Sequence, residues 1–214
     1  MGYLAGREIV VAALEQQLLA TQNGQFQVLL LAGEPGIGKT HLLRYLTSQA
    51  AQSGVTALWG GSSETEGMPP YLPFLESLGK YIRHAPAETL RRQSGAAAPI
   101  LATVLPELTL RLGQLPTGYP LPPEQARYRL FQAIGEFLTA IAHDAPLLLI
   151  LDDLHWADTA TLDLLAHLAN QLQNTPILIV GAYRLAETEQ HPAFQRCVAE
   201  LSRRRVLVTI HIEA

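Results

Sequence analysis

Between Phe26 and Gly54 the chain passes from an apolar run, through a glycine-rich loop, into apolar residues at helical spacing. The run Phe26-Gln27-Val28-Leu29-Leu30-Leu31-Ala32 reads as a strand buried on both faces, because a half-exposed strand would alternate. Leu42, Leu43, Leu46 and Ala50 then recur on one helical face until Ser53-Gly54 stops it. Between them lies Gly33-Glu34-Pro35-Gly36-Ile37-Gly38-Lys39-Thr40, which fits G-x-x-x-x-G-K-[ST] in full. Gly33, Gly36 and Gly38 are expected to supply positive φ and close approach, so that successive N–H groups face one set of oxyanions. The first helical turn adds unpaired N–H groups and a partial positive charge. Glu34 through His41 is thus a candidate phosphate-binding segment, with Lys39 reaching the β/γ-phosphates and the Thr40 hydroxyl ligating Mg²⁺. A glycine-rich turn with a chance Lys-Thr is the plain alternative, and the order strand, loop, helix speaks against it.

The rest of the chain repeats the alternation. Val10, Ala13, Leu14 and Leu18 mark an opening helix that ends at Asn23-Gly24. Gly54 to Gly60 reads as a second strand, Leu147 to Leu151 as a third, Pro176 to Gly181 as a fourth and Val206 to Ile212 as a fifth. Pro123 suits the first turn of a helix carrying Leu130, Phe131, Ile134, Phe137, Leu138 and Ile141. Further helices carry Leu162, Leu165 and Leu168, capped by Asp158 or Thr159, and Phe194, Val198 and Leu201. Strands alternating with helices predict an α/β domain with a parallel sheet covered on both faces. Ten of the fourteen prolines lie between Pro69 and Pro123, which excludes a central strand there. Residues 61–122 therefore read as a Pro-rich helical insertion after strand 2, with helical patches at Leu75-Leu78-Tyr81-Ile82 and Ile100-Leu101-Val104-Leu105. Met68 to Phe74 reads as a packed loop and Gly113 to Pro122 as a mobile one.

The third strand runs into Asp152-Asp153. A carboxylate at the C-terminal end of a buried strand faces the crevice where α/β sheets bind ligands. Asp152 is placed to hold Mg²⁺ beside Thr40, and Asp153 to orient or polarise an attacking water. Asp is one methylene shorter than Glu, so slow turnover is expected. His155, Trp156 and Asp158 read as a loop that packs Trp156 and caps the next helix. Arg184 follows the fourth strand at the same sheet edge, where a guanidinium either meets developing charge on a γ-phosphate or makes a surface salt bridge.

The formal net charge of −4 offers no basic stripe for nucleic acid, and Arg91-Arg92 and Arg203-Arg204-Arg205 read as solvated helix ends. Hydrophobic residues at 48% and charged ones at 16% suit a sizeable core. A single cysteine, Cys197, excludes an internal disulfide and fits a reducing, cytoplasmic setting. No apolar run is long enough to span a bilayer.

Gly6-Arg7-Glu8, the Gly33–Thr40 loop, Leu151-Asp152-Asp153-Leu154-His155-Trp156-Ala157-Asp158 and Gly181-Ala182-Tyr183-Arg184 follow one another in this order. Together they resemble the nucleotide-binding domain of the STAND class, signal-transduction P-loop ATPases with numerous domains. The likeness is strongest to AAA-type modules of bacterial LuxR-family and cyclase-linked regulators, and extends from about Tyr3 to Ile212. The resemblance implies a P-loop NTPase three-layer sandwich with sheet order 5-1-4-3-2. It implies that Gly6 and Arg7 lie against the adenine of ATP or ADP, that Asp152 is the metal-side acid, and that Asp153 serves hydrolysis. Arg184 would be the γ-phosphate sensor.

On this resemblance residues 1–214 form one nucleotide-binding domain of an ATP/ADP switch. Family members continue into a lid and effector domains, absent here, so the chain is expected to be a fragment of a larger regulator. ATP-dependent self-association is expected, and contact with nucleic acid or membrane is not. Two other readings stay open: a remodelling or nucleic-acid-linked AAA-type ATPase, and a nucleotide-binding interaction module without hydrolysis.

Overall fold

The computed structural model describes residues 7–64, 67–116, 120–188 and 191–213. Five parallel strands, β1 (Gln27–Gly33), β2 (Thr56–Gly61), β3 (Leu147–Asp152), β4 (Ile177–Tyr183) and β5 (Leu207–Ile212), form one sheet in the order β2-β3-β4-β1-β5. This is the expected 5-1-4-3-2 arrangement. Every residue of β3 and β4 is buried, whereas the edge strands β2 and β5 are partly exposed. Central strands accordingly read as unbroken apolar runs in the sequence.

Strand side chains alternate between two cores. Leu29, Leu31, Leu148, Ile150, Leu178 and Val180 face α1 (Glu8–Gln22) and α2 (Lys39–Gln52), where Leu14, Leu18, Leu42, Leu43 and Leu46 cover them. Val28, Leu30, Leu147, Leu149, Leu151, Ile177 and Ile179 face the opposite layer. That layer holds α3 (Leu72–His84), α4 (Ala87–Ser94), α5 (Ala98–Leu101), α6 (Glu107–Leu112), α7 (Pro123–Asp144), α8 (Thr159–Gln171) and α10 (Pro192–Arg203). The short α9 (Leu185–Thr188) follows β4. The result is a three-layer sandwich. Burying each Leu or Ile side chain in it contributes about 1.5–3 kcal/mol.

The insertion is more helical than its proline content suggests. α3 begins at Leu72 with Pro73 in its first turn, so the expected Met68–Phe74 loop ends three residues early. α4 and α6 begin directly after Pro86 and Pro106, which act as helix starters. The patch around Ile100 gives only the four-residue α5. Part of the stretch expected to be mobile, residues 117–119, falls outside the described residues. The insertion is bolted both to the sheet and to α8. A Cβ on Gly60 of β2 would lie 1.8 Å from the Pro73 carbonyl oxygen, so only glycine admits α3 this closely. The Tyr71 N–H donates to the Thr161 hydroxyl at 3.1 Å, with Tyr71 held at φ 67. The basic clusters are helix ends, as expected: Arg92 makes a two-pronged contact with Asp144, and Arg204 meets Glu200 and Asn170.

Candidate functional site

β1, β4 and β3 are neighbours and finish at one sheet edge, where Ala32 pairs with Tyr183 and Leu151 with Gly181. The glycine loop leaves β1 at this edge. Gly36 at φ 78 and Gly38 at φ 103 are left-handed, and a Cβ on either would meet nothing within 4 Å. Glycine is needed there for conformation. Gly33 corrects the expectation of positive φ at all three positions. It is the last residue of β1, and its added Cβ would lie 3.0 Å from Ile37 Cγ2 and 3.1 Å from the Ile212 carbonyl oxygen. Its role is close approach between the loop and β5.

α2 starts at Lys39 behind Gly38, with no side-chain cap, so its first-turn N–H groups face the loop's concavity. Lys39, 8% exposed, donates from Nζ to the Gly33 carbonyl at 2.7 Å and to that of Glu34 at 3.0 Å. Burial and then the charge of Arg184 push its pKa down, against the opposing pull of Asp153, Asp152 and Glu34. Glu34, Pro35, Gly36 and Thr40 are exposed along the concavity, Ile37 is half-buried, and His41 lies exposed in the first turn of α2.

Asp152 closes β3 and is 9% exposed. Burial, then the neighbouring Asp153 charge, raise its pKa; the Asp153 N–H, Lys39 and the Thr40 hydroxyl oppose the rise. A buried carboxylate hydrogen-bonded to a hydroxyl suits a divalent cation that also takes phosphate oxygens and water. Mg²⁺ characteristically binds one or two carboxylates in this way rather than an all-protein cage. Among the described residues no group of three or more His, Cys, Asp or Glu side chains able to hold a metal occurs. An open cleft of about 480 Å³ on this side is lined by Thr40, Arg44, Thr47, Trp59 and Asp152.

Asp153 is half-buried and left-handed at φ 54, which a non-glycine residue adopts at a cost. That turn starts a short 3₁₀ segment, Leu154–Trp156, where a loop was expected. Trp156 is only half-buried, whereas the His155 side chain has no exposure. The His155 Nε2 lies 3.3 Å from a Glu187 carboxylate oxygen and 3.9 Å from Asp153 Oδ1, and burial pushes its pKa down. Leu154 is buried against β4, where a Cβ on Gly181 would lie 2.3 Å from Leu154 Cδ1. Asp158 caps α8 by accepting the Thr161 N–H at 2.9 Å.

Arg184 follows β4. Its Nη1 donates to Glu187 Oε1 at 2.8 Å, which raises its already high pKa, and its charge reaches Asp153 and Lys39. Of the two readings of Arg184, the salt bridge is the one seen, with Glu187 as its partner. Arg7, ahead of α1, donates from Nη2 to the Ile37 carbonyl at 3.2 Å, tying the opening segment to the loop. Gly6 and the residues before it lie outside the described residues.

Lys39, Thr40, Asp152, Asp153 and Arg184 are therefore assembled at one edge. His155, Glu187 and Arg44 belong to the same surroundings and were not read as site residues. The spacing of Glu187 three residues after Arg184 carried a signal for a side-chain pair. The apolar-looking Leu-His-Trp run carried none for a histidine facing two carboxylates.

A five-stranded parallel sheet in this order, with a glycine loop after β1 and an acidic pair at the end of β3, defines a P-loop ATPase domain. The AAA ATPase domain family matches residues 3–180, and the chain belongs to that family. Membership implies nucleotide binding with Mg²⁺, and the loop, the uncapped helix start and the buried Asp152 fit both groups. An uncharacterized protein of Rhizobium meliloti (strain 1021) is 24% identical over 197 residues, covering 86% of this chain and 19% of that protein. The chain thus spans about a fifth of that curated relative. Drosophila ORC bound to DNA shares the fold with a TM-score of 0.50 and 11% identity, over 97% of this chain and 93% of that one. The Aeropyrum pernix ORC1 protein in complex with DNA gives 0.45 and 18%, over 97% and 45%. Among the described residues no helix is long and apolar enough to cross a membrane.

Proposed function

We propose that this chain is the ATP-binding, slowly hydrolysing switch domain of a larger cytoplasmic signalling or transcription regulator of the STAND class. The observation that carries the reading is the convergence of Lys39, Asp152, Asp153 and Arg184, which act on one another electrostatically at the ends of β1, β3 and β4. Two cations and two carboxylates arranged around a glycine loop suit a triphosphate whose charge shifts during hydrolysis.

Each residue has a part. The loop N–H groups and Lys39 bind the β- and γ-phosphates, with Gly6 and Arg7 toward the base. Thr40 and Asp152 would hold Mg²⁺, which when bound neutralises phosphate charge. Asp153 orients the attacking water, and Arg184 stabilises charge on the γ-phosphate. The 19% coverage of the Rhizobium relative supports a domain within a longer protein. Lid and effector regions as partners, and ATP-dependent self-association as the output, complete the proposal.

Calorimetry with ATP and ADP, with and without Mg²⁺, followed by single-turnover hydrolysis, tests this. Tight Mg²⁺-dependent binding with slow phosphate release is expected. Turnover stimulated by DNA would move the chain to the nucleic-acid-linked ATPases. Binding with no phosphate release, in a longer natural protein as well, would make it an interaction module.

A further inference from the structure

We propose that Glu187 is a positioning residue that sets the preference of this site between nucleoside triphosphate and diphosphate, by competing with the γ-phosphate for the Arg184 guanidinium. The inference rests on the nucleotide reading above. Glu187 sits in α9, and its two oxygens face different partners. Oε1 accepts the Arg184 Nη1 bond at 2.8 Å, while Oε2 lies 3.3 Å from the fully buried His155 ring. The Thr188 hydroxyl donates to the carbonyls of Arg184 at 3.3 Å and Leu185 at 3.0 Å, closing the turn that presents the carboxylate. Arg184 directly follows Tyr183, which pairs with Ala32 at the root of the phosphate loop, and its charge acts on Lys39 and Asp153. The guanidinium is thus held by a carboxylate at the sheet edge that carries the phosphate loop.

A guanidinium forms its best contacts as a two-pronged fork, and carboxylate and phosphoryl oxygens fit that fork equally well. A γ-phosphate must draw Arg184 at least partly away from Glu187, whereas a diphosphate makes no such demand. Glu187 is about one-third exposed, so water can take up the carboxylate oxygen that Arg184 releases. The exchange weakens triphosphate binding relative to diphosphate binding without barring it.

The test is calorimetry of the full chain in Mg²⁺ with ADP and with a non-hydrolysable ATP analogue. Wild type, Glu187→Gln, Arg184→Ala and the double variant form a cycle, with Glu187→Ala as a second single variant. Glu187→Gln is expected to tighten the analogue about tenfold and to leave ADP within about twofold. In the Arg184→Ala background it should change neither by more than about twofold. A gain that persists without Arg184 would mean simple removal of negative charge near the site and would overturn the proposal. An equal gain for both nucleotides, or weaker binding of the analogue, would overturn it as well. Failure of the wild type to bind either nucleotide would instead sink the nucleotide reading, and this inference with it.

Discussion

Asp152 Oδ1 accepts a hydrogen bond at 3.0 Å from the backbone N–H of Asp153, so two adjacent carboxylates hold unlike positions. The first is buried at the strand end, and the second is swung out by a left-handed turn. Asp152→Asn should weaken Mg²⁺-dependent nucleotide binding by about tenfold or more, since a carboxylate's charge-assisted contacts exceed an amide's. Asp153→Asn should leave binding within about twofold and abolish hydrolysis. Asn tolerates left-handed backbone, so the fold should survive. Unchanged single-turnover rates in Asp153→Asn would place the catalytic acid elsewhere.

Lys39→Ala should reduce nucleotide affinity at least tenfold, because charged hydrogen bonds contribute roughly 1.5–3 kcal/mol each. The melting temperature without nucleotide should fall only slightly, since removing a charge that burial disfavours offsets the hydrogen bonds lost to the carbonyls of Gly33 and Glu34. Equal ATP titrations for wild type and variant would remove Lys39 from the site.

Gly60 and Gly61 form a matched pair for testing how the insertion docks. Gly60→Ala drives a methyl group into the Pro73 backbone and should cost about 3 kcal/mol or more. Gly61→Ala meets nothing within 4 Å and should stay within about 0.5 kcal/mol of wild type. Urea unfolding of both variants checks this, and a mild Gly60→Ala would show that α3 can slide.

Asp144 ties the end of α7 to α4, with Arg92 at 2.7 and 2.9 Å and Gln93 at 2.8 Å. The Arg92 hydrogen bonds, then that from Gln93, hold its pKa down at about 2 against an ordinary 3.8. A depressed carboxylate stabilises the fold above its unfolded value and loses that contribution as pH falls through the folded one. The window is thus pH 3.8 down to about 2. With solvent screening, Asp144→Asn should cost about 1 kcal/mol at pH 7. The difference from wild type should close over that window in urea unfolding series; a gap independent of pH would mean the contact acts through packing.

The parts of the site fixed by backbone were the most legible. Gly36, Gly38, Lys39 and Thr40 are spaced by what a phosphate-facing turn demands, and Asp152 by where a buried strand must end. The strands were readable because burial on both faces leaves no polar alternation in β3 and β4. The insertion was harder, since Pro86 and Pro106 start helices that proline would break one turn later. Least legible was the burial of His155 ahead of Trp156. It follows from the left-handed turn at Asp153, and nothing in an Asp side chain announces that conformation.

Gly181 lies in the middle of the fully buried β4 and bears no functional group, yet Leu154 and Leu30 lean into the space where its side chain would be. Leu154 sits between Asp153 and His155. A methyl group at 181 would therefore press on the segment that aims both of them. A mutational scan scored by activity would rank this glycine beside the acids. The bare backbone at 181, with two leucines settled on it, is in that sense the datum from which the acidic loop takes its aim.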